Sequence, residues 1–248
     1  MEKLIDQQLA QIPEGVAGKK EAFLLVVAGF DEPAVFSNEL HLAATKIGGA
    51  FNVQNRILRL SNNRKDAETL PQVSPFMLKL AIQKLANKMN LDEDLFAIYL
   101  VSHGSKQGLA LKRGTDQPVL SEVVGLQDAF EQAGVQWRAV FVSACYSGVY
   151  HDSLKGDKTL IMTAADAENT SFGCGFGYKY TYFGREFLDD RDFSQPIDWS
   201  AIYLDTTRKI KRRESLAGIR PSNPQFAMGD AMANYLKNWP SLDIAKQP

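Results

Sequence analysis

Short apolar runs recur along the first two thirds of the chain. Residues 23–29 are apolar at every position rather than at alternate ones. A run that is apolar on both faces is typical of a strand buried inside a parallel sheet. Later segments of similar length predict four more strands, which cover residues 56–60, 95–101, 139–143 and 159–164.

Stretches with the helical spacing of apolar residues separate these predicted strands. Residues 36–47 carry apolar side chains on one side, and Gly48 follows them. A further helix is predicted to begin after Ser74 as its N-cap, with Pro75 at the first helical position. Its predicted buried side consists of Phe76, Leu80, Ile82, Leu85, Ala86 and Met89. Residues 121–133, 198–216 and 228–237 are also predicted as helices.

The alternation of strands and helices across residues 22–165 predicts the fold class. It indicates an α/β protein with a mostly parallel sheet and helices on both faces. We predict a polar N-terminal leader over residues 1–20, one domain over residues 21–240 and a tail over residues 241–248.

Composition and charge narrow the range of partners. The 248 residues are 45% hydrophobic and 23% charged, with a formal net charge of −1. This balance provides no general attraction to nucleic acid, and the apolar runs are too short to span a bilayer. No signal peptide is visible. We expect a cytoplasmic protein if the chain is complete, and a periplasmic or membrane-tethered one if a signal or anchor was removed.

Residues with reactive side chains follow the ends of two predicted strands. His103 and Gly104 follow residues 95–101 closely, and Cys145 follows residues 139–143. The carboxyl ends of parallel strands form the crevice where ligands bind, so neighbouring strands would bring His103 and Cys145 together. A thiolate is a strong nucleophile, and an imidazole can take the thiol proton and later protonate a leaving amine. The backbone N–H groups of Gly104 and Cys145 would stabilise the oxyanion.

Taken singly, each of these residues could equally have a structural role instead of a catalytic one. Cysteine is often buried as a small apolar side chain, and we expect Cys174 to be a packed or loop cysteine, with a redox-sensitive thiol near the site as the alternative. No group of residues has metal-ligand spacing, and no dinucleotide fingerprint follows the first strand. We therefore expect neither a metal nor a cofactor.

The motifs around these residues resemble the legumain branch of the caspase/legumain clan, peptidase family C13. His103-Gly104 after one strand and Ala144-Cys145-Tyr146-Ser147-Gly148 after another carry the resemblance. Further similar segments are Thr163-Ala164-Ala165, Thr170-Ser171-Phe172, Thr181-Tyr182-Phe183-Gly184 and Pro221-Ser222-Asn223-Pro224-Gln225. The resemblance implies a caspase-like three-layer α/β/α sandwich and a peptidase without metal or cofactor.

The resemblance also implies where substrate binds. The family's asparagine-reading Arg, Glu and Asp fall on Ser37, Tyr146 and Arg185 in this sequence, so asparaginyl specificity is not carried over. We expect these three residues and Ser171 to contact substrate. Arg185 would favour an acidic or hydrogen-bond-accepting side chain, unless it faces solvent on its helix.

The predicted function is cysteine-type endopeptidase activity on a peptide or protein, with Cys145 and His103 as a catalytic dyad. Two alternatives remain open. The same acyl-enzyme would give a transpeptidase or transamidase if an amine rather than water resolved it, and the fold would also serve as a catalytically silent peptide-binding module.

Overall fold

Six strands form the central sheet of the computed structural model, which describes residues 2–193 and 196–240. They are β1 (Ala22–Ala28), β2 (Ile57–Ser61), β3 (Leu95–Val101), β7 (Trp137–Ser143), β8 (Thr159–Thr163) and β9 (Gln225–Met228). Their order across the sheet is β2-β1-β3-β7-β8-β9. The first five are parallel, and β9 is antiparallel to β8.

Helices cover both faces of this sheet. They are α1 (Glu2–Leu9), α2 (Val35–Ala50), α3 (Pro75–Ala86), α4 (Val123–Gln132), α5 (Gly148–Leu154), α6 (Tyr182–Leu188), α7 (Trp199–Leu216) and α8 (Asp230–Lys237). One apolar core joins the sheet to α1, α3, α4 and α5, and the other joins it to α2, α6, α7 and α8. Alternate residues of β1 enter opposite cores, as Leu25 and Val26 do, because successive side chains of a strand point to opposite faces. The predicted α/β/α sandwich is confirmed.

A second, smaller sheet lies beyond the carboxyl end of β3. It consists of β4 (Gly104–Ser105), β5 (Gly108–Leu111) and β6 (Val119–Glu122), all antiparallel. The prediction of one helix over residues 121–133 is wrong at its start, because Ser121 pairs with Leu109 in this sheet and α4 begins only at Val123. Tertiary pairing overrides the local helical pattern here.

Helix α3 begins as predicted but differs from the prediction in its buried face. The Ser74 Oγ accepts a hydrogen bond from the Met77 N–H at 3.2 Å, and Pro75 is the first helical residue. Phe76, however, is 70% exposed, while Met77 and Leu78 are buried instead. The first turn of the helix therefore places its apolar side one residue later than the spacing suggested.

Helix α1 packs against the main body of the molecule. Ile5 is fully buried, and Leu9 and Ile12 join the same apolar core as α3. The division into leader, domain and tail stays a prediction, and its tail and Met1 lie outside the described residues. None of the helices within residues 2–193 and 196–240 combines the length and the hydrophobicity that a membrane span requires.

Candidate active site

Parallel pairing of β3 with β7 sets the positions of the two candidate catalytic residues. Val101 lies opposite Ser143 at the ends of these strands. His103 and Cys145 each follow two residues later, and the Ser102 N–H donates to the Ser143 carbonyl at 3.3 Å. The two residues therefore leave the same edge of the sheet on neighbouring strands.

Gly104 permits the close approach of these two chain segments. A Cβ atom at this position would lie 2.2 Å from the carbonyl oxygen of Cys145, well inside van der Waals contact. The residue after His103 thus touches the backbone of Cys145 directly. Only glycine fits here without displacing that backbone.

The turn that carries Cys145 has an unusual backbone. Tyr146 has a φ of +56°, in the left-handed region that bulky side chains disfavour. Its N–H donates to the Asn169 carbonyl at 2.9 Å, which holds the turn in place. Such backbone costs of order 1–3 kcal/mol and is found where the surrounding structure enforces it, often at functional sites. Helix α5 then begins at Gly148.

The thiol of Cys145 has polar neighbours on one loop. Its Sγ lies 3.5 Å from the Ser171 carbonyl and 3.7 Å from the Ser171 Oγ, which donates to it. The thiol of Cys174 donates a hydrogen bond to the Cys145 thiolate, and this contact is the largest cause that lowers the pKa of Cys145 to about 6. The Ser171 contacts act in the same direction, and burial opposes them.

The same contact has the opposite effect on Cys174. Its hydrogen bond to Cys145, followed by burial, raises the pKa of the Cys174 thiol far above its ordinary range. One thiol of the pair therefore ionises readily while the other keeps its proton. Both side chains are half-buried and both cysteines are free.

Two phenylalanine rings hold the imidazole of His103. The ring centroid of Phe30 lies 4.6 Å away and that of Phe36 lies 5.0 Å away, both in edge-to-face arrangements. Burial lowers the pKa of His103. Across residues 2–193 and 196–240, the ring has no hydrogen-bond partner, so aromatic packing rather than a carboxylate orients it.

A buried carboxylate ties the loop of Cys174 to the sheet. Glu39 accepts hydrogen bonds from the Tyr99 hydroxyl at 2.8 Å and from the Thr181 N–H at 2.9 Å. The Thr181 Oγ1 lies 3.0 Å from the Ser143 Oγ, at the end of β7. Burial raises the pKa of Glu39 despite these hydrogen bonds. The network fixes the start of α6 against the end of β7 and the middle of β3.

The predicted substrate-binding residues occupy different environments. Ser171 contacts Cys145, and Tyr146 is the residue after Cys145 in the chain. Ser37 is fully buried, and its hydroxyl donates to Asp66 at 3.0 Å. The Arg185 side chain is 58% exposed, with its Nε 3.9 Å from Glu186. Substrate contact by these four residues stays a prediction.

Several residues of the site were missed or given lower weight from the sequence. Phe30 follows β1, which neighbours β3, so the rule of strand ends that singled out His103 also applied to Phe30. Cys174 and Glu39 had no such signal, because their partners are distant in sequence. Within the described residues, no group of three or more His, Cys, Asp or Glu side chains is arranged to hold a metal ion.

Comparison with known proteins gives a family and a fold. The model of the Peptidase C13 family matches residues 81–199, a span that contains His103, Cys145 and Cys174. The chain is also similar to the crystal structure of caspase-1 from Spodoptera frugiperda, with a TM-score of 0.56 and 12% identity. That match covers 88% of this chain and 89% of caspase-1. None of the curated proteins compared with the chain matches it.

These findings confirm the resemblance drawn from the motifs. At 12% identity the likeness to caspase-1 shows the fold alone. The match to the family model indicates the class of protein, a C13-type peptidase. Together they support a function of the cysteine peptidase type, acting on a peptide or protein. These findings therefore support a legumain-like peptidase of family C13 in the caspase/legumain clan, and the chain has a caspase-like fold.

Proposed function

We propose that this protein is a cysteine endopeptidase that hydrolyses peptide bonds through an acyl-enzyme on Cys145. The observation that carries the proposal is the environment of the Cys145 thiol. A pKa lowered to about 6 favours the thiolate near neutral pH, whereas an ordinary cysteine is almost entirely protonated there. A thiolate of this kind at the ligand-binding edge of a parallel sheet suits nucleophilic attack.

In the proposed reaction the Cys145 Sγ attacks the carbonyl carbon of the scissile bond. A carbon–sulfur bond forms, and the π electrons of the carbonyl move onto its oxygen. Collapse of this tetrahedral species breaks the carbon–nitrogen bond, and the leaving amine takes a proton. Water then attacks the thioester, which releases the acid product and returns the thiolate.

His103 is the proposed proton carrier. It accepts the thiol proton of Cys145, donates it to the leaving amine, and then takes a proton from the attacking water. The aromatic rings of Phe30 and Phe36 restrict its orientation. Because burial lowers its pKa, the imidazolium gives up its proton more readily than an ordinary histidine does.

The proposed oxyanion donors are the backbone N–H groups of Gly104 and Cys145. The close contact of these two residues supports the assignment, since a Cβ at Gly104 would strike the Cys145 carbonyl. Fixed donors of this kind stabilise the charge that develops on the oxygen, and removal of one side-chain donor from an oxyanion hole costs about 3–4 kcal/mol.

Active-site labelling and peptide cleavage test the proposal together. A fluorogenic peptide library finds a cleaved sequence, and a peptidyl electrophile is then used to label the nucleophile. We expect Cys145→Ala to abolish cleavage and labelling, and His103→Ala to reduce kcat by roughly 10²–10⁴-fold. His151→Ala, which removes an imidazole from α5, serves as the matched control and should leave both rates unchanged.

Two results would contradict the proposal. Cleavage that survives in Cys145→Ala would place the nucleophile elsewhere. Labelling of Cys145 without cleavage of any library peptide would instead favour the silent binding module, and product mass spectrometry with an added amine identifies the transpeptidase alternative.

A further inference from the structure

A groove lies between α6 and the C-terminal half of α7. It has a volume of about 560 Å³, and both helices contribute side chains to it. The residues that line it include Tyr182, Glu186, Lys209, Arg212, Arg213 and Leu216. Leu216 is 80% exposed. This surface, hereafter the cationic groove, combines positive charge with apolar area that the protein leaves uncovered.

Helix α7 is far more basic than the molecule as a whole. It carries five cationic residues and two acidic ones, which are Arg208, Lys209, Lys211, Arg212 and Arg213 against Asp205 and Glu214. The whole chain has a formal net charge of −1. Positive charge is therefore concentrated on this helix, where it attracts a negatively charged ligand locally.

Asp205 is shared by three cations beside the groove. Its carboxylate lies within 2.9 Å of Arg191, Arg208 and Lys209. One negative charge cannot neutralise three positive ones, so much of the charge of these side chains is uncompensated. Lys209, which lines the groove, therefore remains attractive to a further carboxylate.

The other two cations of the groove differ in their contacts. Arg213 is fixed, because its Nε donates to the Glu186 Oε1 at 3.0 Å and its guanidinium lies 5.1 Å from the ring centroid of Tyr182. Arg212 has no ion-pair partner among the residues that the structure describes. Arg213 thus shapes the wall of the groove, and Arg212 adds a charge that a bound ligand can pair with.

The cationic groove adjoins the loop that contacts the candidate nucleophile. The Tyr182 N–H donates to the Phe172 carbonyl at 2.9 Å, and the two ring centroids lie 6.2 Å apart. Phe172 follows Ser171, whose carbonyl lies 3.5 Å from the Cys145 Sγ. A polypeptide bound at Cys145 is therefore near enough to the groove to occupy both.

We propose that the cationic groove binds an acidic segment of the polypeptide substrate, away from the bond that is cleaved. Carboxylates of this segment pair with Lys209 and Arg212, and an apolar side chain covers Leu216. The inference rests on the proposed function for the role of the segment as part of a substrate, whereas the binding itself needs no cleavage.

The make-up of the groove favours a polypeptide over a nucleic acid. Glu186 lies among its cations, and exposed Leu216 offers an apolar contact that a sugar–phosphate backbone does not match. Nucleic acids are also bound through a broad positive field, which a net charge of −1 does not provide. A peptide that contains Asp, Glu and an apolar residue complements both features of the groove.

Direct binding tests the proposal without catalysis. Fluorescence anisotropy is measured with the full-length Cys145→Ala chain and a labelled peptide in which Asp and Glu residues flank a leucine. The neutral probe has Asn and Gln in their place. We expect the neutral probe to bind about tenfold more weakly. Binding of the acidic probe should weaken with salt, because the Debye length falls from about 30 Å at 0.01 M to about 10 Å at 0.1 M.

Charge reversal locates the binding site. We expect Lys209→Glu with Arg212→Glu to weaken binding of the acidic probe about tenfold, since two attractive pairs become repulsive. Lys3→Glu with Lys79→Glu is the matched control, because it changes the net charge equally at exposed positions of α1 and α3. These helices pack on the opposite face of the sheet, so binding should be unchanged. Circular dichroism verifies that both double variants are folded.

Three results would overturn the proposal. The first is equal binding, or no binding, of the acidic and neutral probes. The second is an equal loss of binding in the control and groove variants. The third is displacement of the acidic probe by single-stranded DNA at a lower concentration than by the unlabelled acidic peptide, which would identify a nucleic-acid surface instead.

A cleavage assay separates this outcome from that of the proposed function. A cleaved library peptide is extended at either end by the acidic or the neutral segment. We expect the acidic extension to raise kcat/KM about tenfold in the wild type and not in the groove variant, while the unextended peptide is cleaved equally by both. Binding without cleavage would contradict only the proposed function, and cleavage without binding would contradict only the present inference.

Discussion

Cys145 and Cys174 illustrate how a single contact sets the behaviour of two residues. Each would have an ordinary thiol in an open chain. When they are placed side by side, the hydrogen bond that lowers the pKa of Cys145 raises that of Cys174. The causes that lower the pKa of Cys145 include contacts with Cys174 and Ser171, which lie far from Cys145 in the sequence.

Removal of the Cys174 thiol should raise the pKa of Cys145. The largest cause that holds this pKa at about 6 is lost in Cys174→Ala, so less thiolate is present near pH 6–7. We expect slower alkylation of Cys145 in this pH range, with the midpoint of the rate profile moved to higher pH. Rates well above pH 9 should be equal, since the thiol is ionised in both proteins.

Iodoacetamide alkylation across pH, read by intact mass, measures this profile. Ser171→Ala is the control, and its smaller effect should follow the lesser weight of the Ser171 contacts. An unshifted midpoint in Cys174→Ala would show that the contact does not stabilise the thiolate.

Burial of His103 should determine the alkaline limb of the pH dependence of kcat/KM. Hydrolysis needs Cys145 deprotonated, which fixes an acid limb near pH 6. It also needs the His103 imidazolium, which is lost at lower pH than in an ordinary histidine because burial lowers its pKa. We expect an optimum on the acid side of neutrality.

Phe30→Ala gives a direct test of this explanation. Loss of the ring exposes the imidazole, so the pKa of His103 rises and the alkaline limb of kcat/KM moves to higher pH. The acid limb stays near pH 6. Phe176→Ala, at a side chain that is 80% exposed, should leave both limbs in place. A common shift of both limbs in Phe30→Ala would argue against the assignment.

At the scale of elements, strand pairing and loop contacts build the site together. The register of β3 against β7 places His103 and Cys145 at one edge. Strand β4 begins directly after His103, and the Ala110 N–H of β5 donates to the His103 carbonyl at 2.9 Å. The small sheet thus helps to fix the backbone of His103.

Substitution of Gly104 should disturb the contact between the chain segments that follow β3 and β7. In Gly104→Ala the new Cβ would lie 2.2 Å from the Cys145 carbonyl oxygen, so one of the two backbones must move. We expect the free energy of unfolding to fall by about 1–3 kcal/mol, and labelling of Cys145 to slow. Denaturant unfolding and labelling rates measure the two effects.

Gly125→Ala is the matched control for this substitution. Gly125 lies in α4, and a Cβ there meets nothing within 4 Å. Alanine favours a helix over glycine, so we expect the free energy of unfolding to rise by about 0.5–1 kcal/mol. Equal effects of the two substitutions would mean that the contact at Gly104 is not specific.

At the scale of the whole molecule, two cores on opposite faces of the sheet support the site. One core includes α1, whose Ile5 is fully buried. The other includes Phe36, so a residue of the core also contacts His103. The rigid sheet and its two helical layers therefore carry the strand ends from which the site is built.

Truncation of Ile5 should destabilise the molecule as a core substitution does. Ile5→Ala removes buried apolar groups, and we expect the free energy of unfolding to fall by about 2–5 kcal/mol. Lys3→Ala, at an exposed position of the same helix, should change it by less than about 0.5 kcal/mol. Equal stability of Ile5→Ala and the wild type would indicate that α1 behaves as a detachable leader.

The sequence by itself determined the elements whose cause is local. Strand β3 is apolar at all seven positions and fully buried, and its predicted bounds agree with the structure. Such runs identify buried strands because both faces must be covered. The choice of His103 and Cys145 also followed from the sequence, since a residue after a parallel strand lies at the ligand-binding edge whatever the rest of the fold.

Only the tertiary structure decided the features that depend on distant partners. The order of the strands placed Phe30 beside His103, and the loop after β8 placed Cys174 beside Cys145. Pairing with Leu109 extended Ser121 into a strand although its local pattern is helical. Each outcome arises from contacts between residues far apart in the chain, and periodicity along the sequence carries no information about such contacts.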